Sequence, residues 1–555
     1  MGRRAAALIA ACGLVIAACG SDDEASGGNT TVAGEDTPAT TVAGEDTPAT
    51  TAAGEDTPAT TAASAPVTCA TDAVLTWGYG DQIRDWDPHD SPAGQDQWYL
   101  MTVYDRLFRQ APDGETLPGL AESWEFSDDA LTLTLNIRQG VTFHDGTPLT
   151  TDIVAQNLDR ARGAMNAPAG EEGFRSSFGA DLGAIESVTA VDDTTVELAL
   201  SVPAVSLPNV LSDRPGMMLL PSTFDGSANT DPIGTGPFML DSWTEGEGGE
   251  AVLTKYADYW EADSIQIAGL VLKDIRDPSA RINALQAGDI DGARIEPVDF
   301  DAAESNSDLT VVTGDTVEVY WMNLDIETTP ELTIPEVRKA MSLAIDRQTL
   351  IDALAFGLGT ATETLMPPFY YASSPNAVPV YDVAAAQQLL TDAGAGAFEF
   401  PILGGSTQGL GPSVSQAVIG MLAEIGITVN FDVAGANLAS RLYFDRDGGG
   451  VVGPWSGRPD PYQTFANTDG PGFVNIAKTS IPEINDALAA ANASTDPAER
   501  HKLLWKVDEL SAQYHVSGIP LFSPKTIFAY DTSISGLPIY VQGKHEFRDA
   551  CVAPS

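Results

Sequence analysis

The chain has 555 residues, of which 43 % are hydrophobic, enough for two to three lobes with real cores. Against 78 acidic residues there are 28 basic ones, a net charge of −50. That balance argues against nucleic acid and anionic lipid headgroups as partners, since both are bound through cationic side chains.

In chain order, Arg3 and Arg4 precede a short apolar run from Ala5 to Ala18, too short to span a bilayer, so residues 1–18 read as a signal peptide. Ile16-Ala17-Ala18-Cys19 matches a bacterial lipobox, in which the cysteine is freed by cleavage and lipidated. An ordinary cleaved signal shares these small residues and leaves a free secreted protein. Lipidation of Cys19 is the expectation, which puts the protein outside the cell on the outer face of the bacterial membrane, touching it through the anchor only.

Residues 19–68 form a low-complexity tether. Three near-copies of a ten-residue unit, TVAGEDTPAT, TVAGEDTPAT and TAAGEDTPAT, run from Thr31 to Thr60. Pro38, Pro48 and Pro58 forbid regular helix, and the unit has no sustained apolar face, so it reads as a flexible spacer reaching about 40 Å. Cys12 falls in the signal. Cys69 and Cys551 bracket the folded body and are either a disulfide or two free thiols, with the oxidising compartment favouring the bridge.

Past Cys69 the pattern becomes globular. Strands are expected at Ala73–Tyr79, Leu131–Ile137, Thr195–Ser201, Val252–Tyr256, Glu318–Leu324 and Ile427–Val433. Helices are expected at Pro335–Arg347, Asp382–Ala393, Ser413–Ile425 (stopped by Gly426) and Asp496–Tyr514, the last with Asp496 as cap and Pro497 in its first turn. Strands and helices mixed over this length predict α/β lobes.

The chain carries no GxSxG elbow, HExxH, P-loop or CxxC. None of its five histidines, His89, His144, His501, His515 and His545, stands at a metal-ligand spacing from another, so neither metal nor cofactor is expected. His144 beside Asp145 is a base or, more simply, a histidine in a hydrogen-bonded turn. An enzyme is not expected.

Several phrases occur in a set order: YDRLF (Tyr104–Phe108), LPGLAESWEFSDD (Leu117–Asp129), LTLTLNIRQGVTFHDGTPLTTDIV (Leu131–Val154) and PIGTGPF (Pro232–Phe238). They are followed by YADYW (Tyr256–Trp260), INALQAGDIDGA (Ile282–Ala293), PEVRKAMSLAIDR (Pro335–Arg347) and YDVAAAQQLLTDAG (Tyr381–Gly394). This series resembles the extracytoplasmic solute-binding proteins of family 5, the peptide, opine and nickel receptors of ABC importers, over the body from about Val74 to the C-terminus. Physically, the glycines of GTGPF suit tight turns of positive φ, and Thr150 or Thr151 can cap the helix that follows Asp145-Gly146.

The resemblance implies a two-lobed periplasmic-binding-protein fold, type II, in its large form with an extra subdomain in lobe I. Lobe I is expected at 69–317 plus 519–555, lobe II at 318–518, with hinges near Glu318–Leu324 and Ser517–Phe522. A C-terminal return to lobe I suits a Cys69–Cys551 bridge. It further implies a monomeric receptor that closes on a peptide-like or other small polar ligand and delivers it to an ABC permease. The alternatives are a receptor for a non-peptide anionic solute, or a peptidase or sensor on the same scaffold.

In the family a lobe II segment often carries a tryptophan followed by an aspartate that holds a peptide amino terminus. Here the matching segment is GPWSGRPDPYQTF (Gly453–Phe465): Trp455 keeps the aromatic, Arg458 stands at the acid position, and Asp460 follows. Arg458 either faces the cleft, favouring an anion, or pairs internally with Asp460 or Asp445. The other expected ligand contacts are Trp77 and Tyr79 at the end of the first strand, and Tyr320 and Asn323 in the crossing strand, where Trp321 or Tyr320 points into the core instead.

Overall fold

The computed structural model describes residues 68–80, 83–91, 94–168, 173–404, 410–433, 438, 440–446, 448–472 and 474–554. The signal peptide, Cys19 and the ten-residue repeats lie outside them. Three larger sheets organise the body. The first has seven strands in the order Leu309–Gly314, Thr526–Asp531, Gly292–Arg294, Val74–Tyr79, Gly269–Asp274, Glu250–Lys255, Phe238–Trp243. Val74–Tyr79 runs parallel to both its neighbours, and the remaining pairs are antiparallel.

The second sheet has six strands in the order Gly359–Ala361, Gly518–Pro524, Val319–Leu324, Gly450–Trp455, Phe398–Gly404, Ile427–Val433. Val319–Leu324 is buried at every position. Its alternate faces serve different clusters: Tyr320, Met322 and Leu324 join the main core of this half, whereas Val319 and Trp321 pack with Leu365 and Val474. The strand Gly518–Pro524 pairs with Val319–Leu324. The chain passes from the six-stranded to the seven-stranded sheet at Lys525, between Pro524 and Thr526.

The third sheet is a four-stranded antiparallel meander, Ala121–Phe126, Thr132–Ile137, Thr195–Leu200, Ile185–Ala190, with its own core around Leu133, Leu135, Val196 and Leu198. Val154 and Leu158 of the helix Thr151–Ala161 complete that core, and Thr150 Oγ1 caps the helix by accepting from the Ile153 amide.

Aspartate caps set several other helix boundaries. The phrase Pro335–Arg347 makes two helices instead of one, Pro335–Leu343 and Arg347–Leu354. Asp346 takes an extended backbone and accepts from the Thr349 amide, so it starts a second helix where apolar spacing alone continues the first. Asp382 and Asp496 likewise cap Val383–Asp392 and Pro497–Tyr514.

The last of these helices buries a carboxyl. Asp508 accepts from the Ser374 amide at 2.7 Å and shares its neighbourhood with Asp469. Burial pushes the Asp508 carboxyl up to about 7 and that of Asp469 up to about 6, against the hydrogen bonds that favour ionisation. The folded state thus holds its proton more tightly than the unfolded chain, and stability is lost as pH rises from the ordinary carboxyl range through 7. Asp508→Asn, which mimics the protonated form, is expected to raise stability at pH 8 by roughly 2–4 kcal/mol and to leave it unchanged at pH 4, read from denaturant midpoints at both pH values.

The loop glycines of PIGTGPF serve a different purpose from the one expected. Neither Gly234 nor Gly236 has positive φ. A Cβ on Gly234 would lie 2.1 Å from the Val103 carbonyl oxygen, and one on Gly236 2.6 Å from the same atom. They are glycines because two backbone segments touch there. His144 locks the junction: its Nδ1 accepts from the Gly234 amide at 3.4 Å and its Nε2 donates to the Gly236 carbonyl at 3.0 Å. Burial holds its ring neutral, with the pKa brought down to about 4, so this is a turn histidine. Gly234→Ala is expected to cost about 1–3 kcal/mol, visible as a lower denaturation midpoint.

Candidate functional site

Two chain crossings run side by side between the larger sheets. Asp315 to Glu318 joins Leu309–Gly314 to Val319–Leu324, and Lys525 joins Gly518–Pro524 to Thr526–Asp531. Lys525 Nζ lies 2.5 Å from Asp315 Oδ1, and Ser523 Oγ donates to the Thr316 carbonyl at 2.7 Å. Beside these crossings is a chamber of about 510 Å³. Tyr79, Trp98, Arg276, Arg294 and Lys544 form its wall on the side of the seven-stranded sheet; Tyr320, Pro454, Trp455 and Ser456 form the opposite wall.

The location follows from topology. Val74–Tyr79, Gly269–Asp274 and Gly292–Arg294 are the parallel strands of their sheet, and the residues at or just past their carboxyl ends, Tyr79, Arg276 and Arg294, all reach the chamber. Ligand crevices of α/β sheets lie at such ends.

A second chamber of about 310 Å³ opens beneath the first, sharing Tyr320, Pro454 and Trp455 with it. Its other walls are mostly apolar, including Trp321, Leu442, Val451 and Val474, with Asn323 among them. Two local features make this room. The pairing of Val319–Leu324 with Gly518–Pro524 slips between Tyr320 and Trp321, a bulge that re-aims adjacent side chains. Gly453 stands opposite Trp321 in the neighbouring strand, and a Cβ built there meets no atom within 4 Å.

The expected contact residues divide. Tyr79, Tyr320 and Trp455 line the main chamber; Tyr320, Asn323 and Trp455 line the side chamber. Tyr320 stacks on Phe522 with ring centroids 5.3 Å apart, and Tyr79 packs on Trp98 and Tyr99. Burial raises the Tyr79 phenol well above its ordinary range, so it stays a neutral donor. Asn323 is 1 % exposed; its Nδ2 reaches the Val474 carbonyl at 3.4 Å, whereas its Oδ1 has no partner among the described residues. Trp455 Nε1 is likewise unpartnered among them.

Trp77 lies elsewhere. It is 0 % exposed and packs on His545, Phe547 and Phe528 at 4.5, 5.5 and 6.0 Å. The cause is Gly292 on the adjacent strand, whose missing Cβ leaves the space the indole fills; a Cβ there would be 2.1 Å from the ring. Asp460 is also committed away from both chambers. It caps Pro461–Thr468 and forms a two-pronged pair with Arg500, both contacts at 2.8 Å. Arg458 does not line either chamber. Its guanidinium donates to the Gly457 carbonyl at 2.7 Å and lies over the Trp455 ring, 5.0 Å from the centroid. The carboxylates that act on its charge are Asp213 and Asp181, neither of the two expected partners.

Sequence reading missed Arg276, Arg294 and Lys544. The available signal was contrast: basic residues are scarce in this chain, yet four of them (with Arg281) line one chamber alongside two glutamates, Glu296 and Glu318. Among the described residues no cluster of three or more metal-ligating side chains occurs, and no helix is long and apolar enough to cross a membrane. The arrangement can enclose a small molecule and offer it cations, aromatic faces and neutral hydrogen-bonding groups, with no nucleophile and base joined for bond-breaking.

Relatives agree with this geometry. The glutathione-binding protein GsiB of Escherichia coli (strain K12) is 27 % identical over 500 residues, covering 87 % of this chain and 94 % of its own. The fold matches that of DppA from Helicobacter pylori in complex with the peptide STSA, with a TM-score of 0.77 and 22 % identity over 87 % of this chain and 98 % of that one. It also matches AgaA from A. tumefaciens R10 in complex with agropinic acid, with a TM-score of 0.75 and 24 % identity over 87 % and 99 % of the two chains. Residues 115–474 match the family described as bacterial extracellular solute-binding proteins, family 5. With that match spanning more than half its length, and a two-lobed α/β body walling a chamber, the chain belongs to the family 5 bacterial extracellular solute-binding proteins.

Proposed function

We propose that this protein is the lipid-tethered receptor of an ABC importer, capturing a small polar solute between two lobes and presenting it to the permease subunits. Lobe I would comprise residues 69–317 with the C-terminal return, and lobe II the intervening residues, with the second crossing at Lys525. The observation that carries the reading is the 510 Å³ chamber walled from both larger sheets beside two adjacent crossings, the arrangement a closing pair of lobes requires. The lipobox at Cys19 and the repeat tether support anchoring to the outer face of the membrane. Relatives that bind glutathione, a peptide and agropinic acid support a ligand of that size.

Tyr79, Tyr320, Asn323 and Trp455 are the proposed contacts. With Asp460 spent on Arg500, the capture of a free peptide amino terminus loses its expected acid, which favours a solute recognised through an anionic group. Closure on such a solute shifts a population toward contacts made only in the closed form. The test is mass spectrometry of solute carried by the protein purified from its native host, paired with solution scattering before and after that solute is removed. A retained small molecule, unchanged after incubation, and a more compact particle in its presence are expected. Turnover of the solute, or superimposable scattering curves, would overturn the reading. Cys19→Ala is expected to release the protein from the membrane fraction into the medium.

A further inference from the structure

The two chambers differ in chemistry, and the difference restricts the solute. Three of the four cations in the main chamber already face carboxylates: Arg276 with Asp274 at 2.8 Å, Arg281 with Glu296 at 3.7 Å, and Arg294 with Glu318 at 3.8 Å. Lys544 is the exception. Its ammonium donates to the neutral Gln97 Oε1, and among the described residues no carboxylate lies within 4 Å of it. Half-buried, it is surrounded by charges of its own sign: Arg106, Arg214 from the turn Arg214–Gly216, and Arg458 from the loop after Gly450–Trp455. Asp213 is the one opposing carboxylate acting on it. With three like charges against one opposing carboxylate, this cation favours the arrival of a further negative charge.

The side chamber is lined mostly by apolar side chains; its uncharged polar ones are Tyr320, Asn323, Tyr443 and Trp455, of which Asn323 Oδ1 and Trp455 Nε1 have no partner among the described residues. Leaving a buried polar atom unpaired costs about 1–3 kcal/mol, so an occupant able to pair with these atoms gains over one that is purely hydrocarbon. A charged occupant would be desolvated there with no counter-ion among its described lining residues.

We propose, on the reading that these chambers are the solute site, that they form a two-part site for an amphipathic carboxylate. The carboxylate sits at Lys544, and a neutral apolar substituent carrying an amide-like group enters the side chamber over Asn323.

The site is also proton-linked. Burial, with the three guanidiniums, brings the Lys544 ammonium down to about 7, and a bound carboxylate restores its charge. Its neighbours do not titrate in the same window. On its own segment, burial keeps His545 neutral with its pKa at about 3, and Arg106 and Arg548 overcome burial to hold Glu546 below the usual carboxylate range. Asp213, although buried, is held low by Arg214, Lys544 and Arg458. The protonated lysine binds the anion, so affinity falls as pH rises through 7.

Titration calorimetry with three probes tests this: N-acetyl-phenylalanine, its neutral amide N-acetyl-phenylalaninamide, and N-acetylglycine, which lacks the apolar group. The first is expected to bind at least tenfold more tightly than either of the others, and several-fold more tightly at pH 6 than at pH 8. Lys544→Met is expected to abolish the preference for acid over amide together with the pH dependence. Gly453→Leu, which adds side chain into open space without strain, is expected to abolish the preference for phenylalanine over glycine while keeping the pH dependence. Equal affinity for acid and amide, or preferences that survive in both variants, would overturn the proposal. So would tighter binding of the cationic peptide Lys-Phe-Lys, although that result leaves the receptor reading intact. If neither the probes nor that peptide bind, and the native host yields no retained solute, both fall.

Discussion

Glu363→Ala is expected to destabilise the protein by about 3–5 kcal/mol, because it strands a buried guanidinium. Glu363 is 2 % exposed and sits between Lys339 Nζ at 2.6 Å and Arg347 Nη2 at 3.1 Å, with Ser342 Oγ donating to it and His515 Nε2 3.3 Å away. Burial alone would raise its pKa. His515 beside it and the charges of Arg347 and Lys339 overcome this and hold the carboxyl at about 2. Arg347 is itself buried and also donates to the carbonyls of Ser342, Thr362 and Pro520. Those neutral acceptors remain in the variant, but the counter-charge does not.

The pH dependence has a definite sign. A carboxyl whose folded pKa lies below its unfolded value stabilises the fold above the unfolded value, and loses that contribution as pH falls from about 4.5 through 2. The wild-type protein is therefore expected to weaken over that window, and Glu363→Ala to show a flatter acid limb. Replacing both partners, Glu363→Ala with Arg347→Met, is expected to cost less than the two single changes summed, since each single change leaves one charge unpaired. Denaturant midpoints for the four proteins of this cycle give the coupling directly. An additive cycle would show that the pair does not act as a unit. Pro520 belongs to the strand that leads to the second crossing, so the loss also reaches that crossing.

Sequence patterns located the elements well where a local rule decided them. Asp496, Pro497 and Gly426 marked boundaries because caps and left-handed stops act within a turn. The break at Asp346 escaped because apolar residues keep helical spacing across it, and only the side-chain cap distinguishes two helices from one. Of the expected contacts, Tyr320, Asn323 and Trp455 line the chambers from the neighbouring strands Val319–Leu324 and Gly450–Trp455, and Tyr79 lines one from the end of the first strand. Trp77 failed through a partner more than two hundred positions away, Gly292, whose lack of a side chain draws the indole into the core. Arg276 and Arg294 come from the ends of the strands on either side of Val74–Tyr79, and Lys544 comes from a loop near the C-terminus outside every strand, so no spacing in the sequence marks the three as one group. The roles of Arg338 and Arg347 were hidden in the same way. Both lie inside PEVRKAMSLAIDR, are buried and bind backbone carbonyls of the segments around the crossing strands, contacts that helical spacing does not reveal.

Removing the terminal disulfide is expected to cost about 2–5 kcal/mol. Cys69 and Cys551 are bridged, their Cα atoms 5.3 Å apart across a sequence separation of 482 residues. Loop-closure entropy grows with the logarithm of loop length, so a bridge of this span constrains the unfolded chain about as much as a single crosslink can. The folded side of the balance limits the loss. The Ala70 amide donates to the Val552 carbonyl at 2.8 Å, and Cys551–Val552 pairs with Ile534–Ser535, so the ends keep some hold on each other without sulfur. Ala70 leads directly into Val74–Tyr79, the strand flanked by two parallel neighbours whose end forms the chamber wall. Fraying of the termini would thus reach the site along a few residues of backbone. Cys69→Ser with Cys551→Ser is expected to lower the denaturation midpoint and to speed amide exchange in Val74–Tyr79 more than in Val319–Leu324. Reductant is expected to reproduce both effects in the wild type and to change nothing in the double variant. Uniform exchange across both sheets would mean that the bridge stabilises the whole body instead of one wall of the chamber.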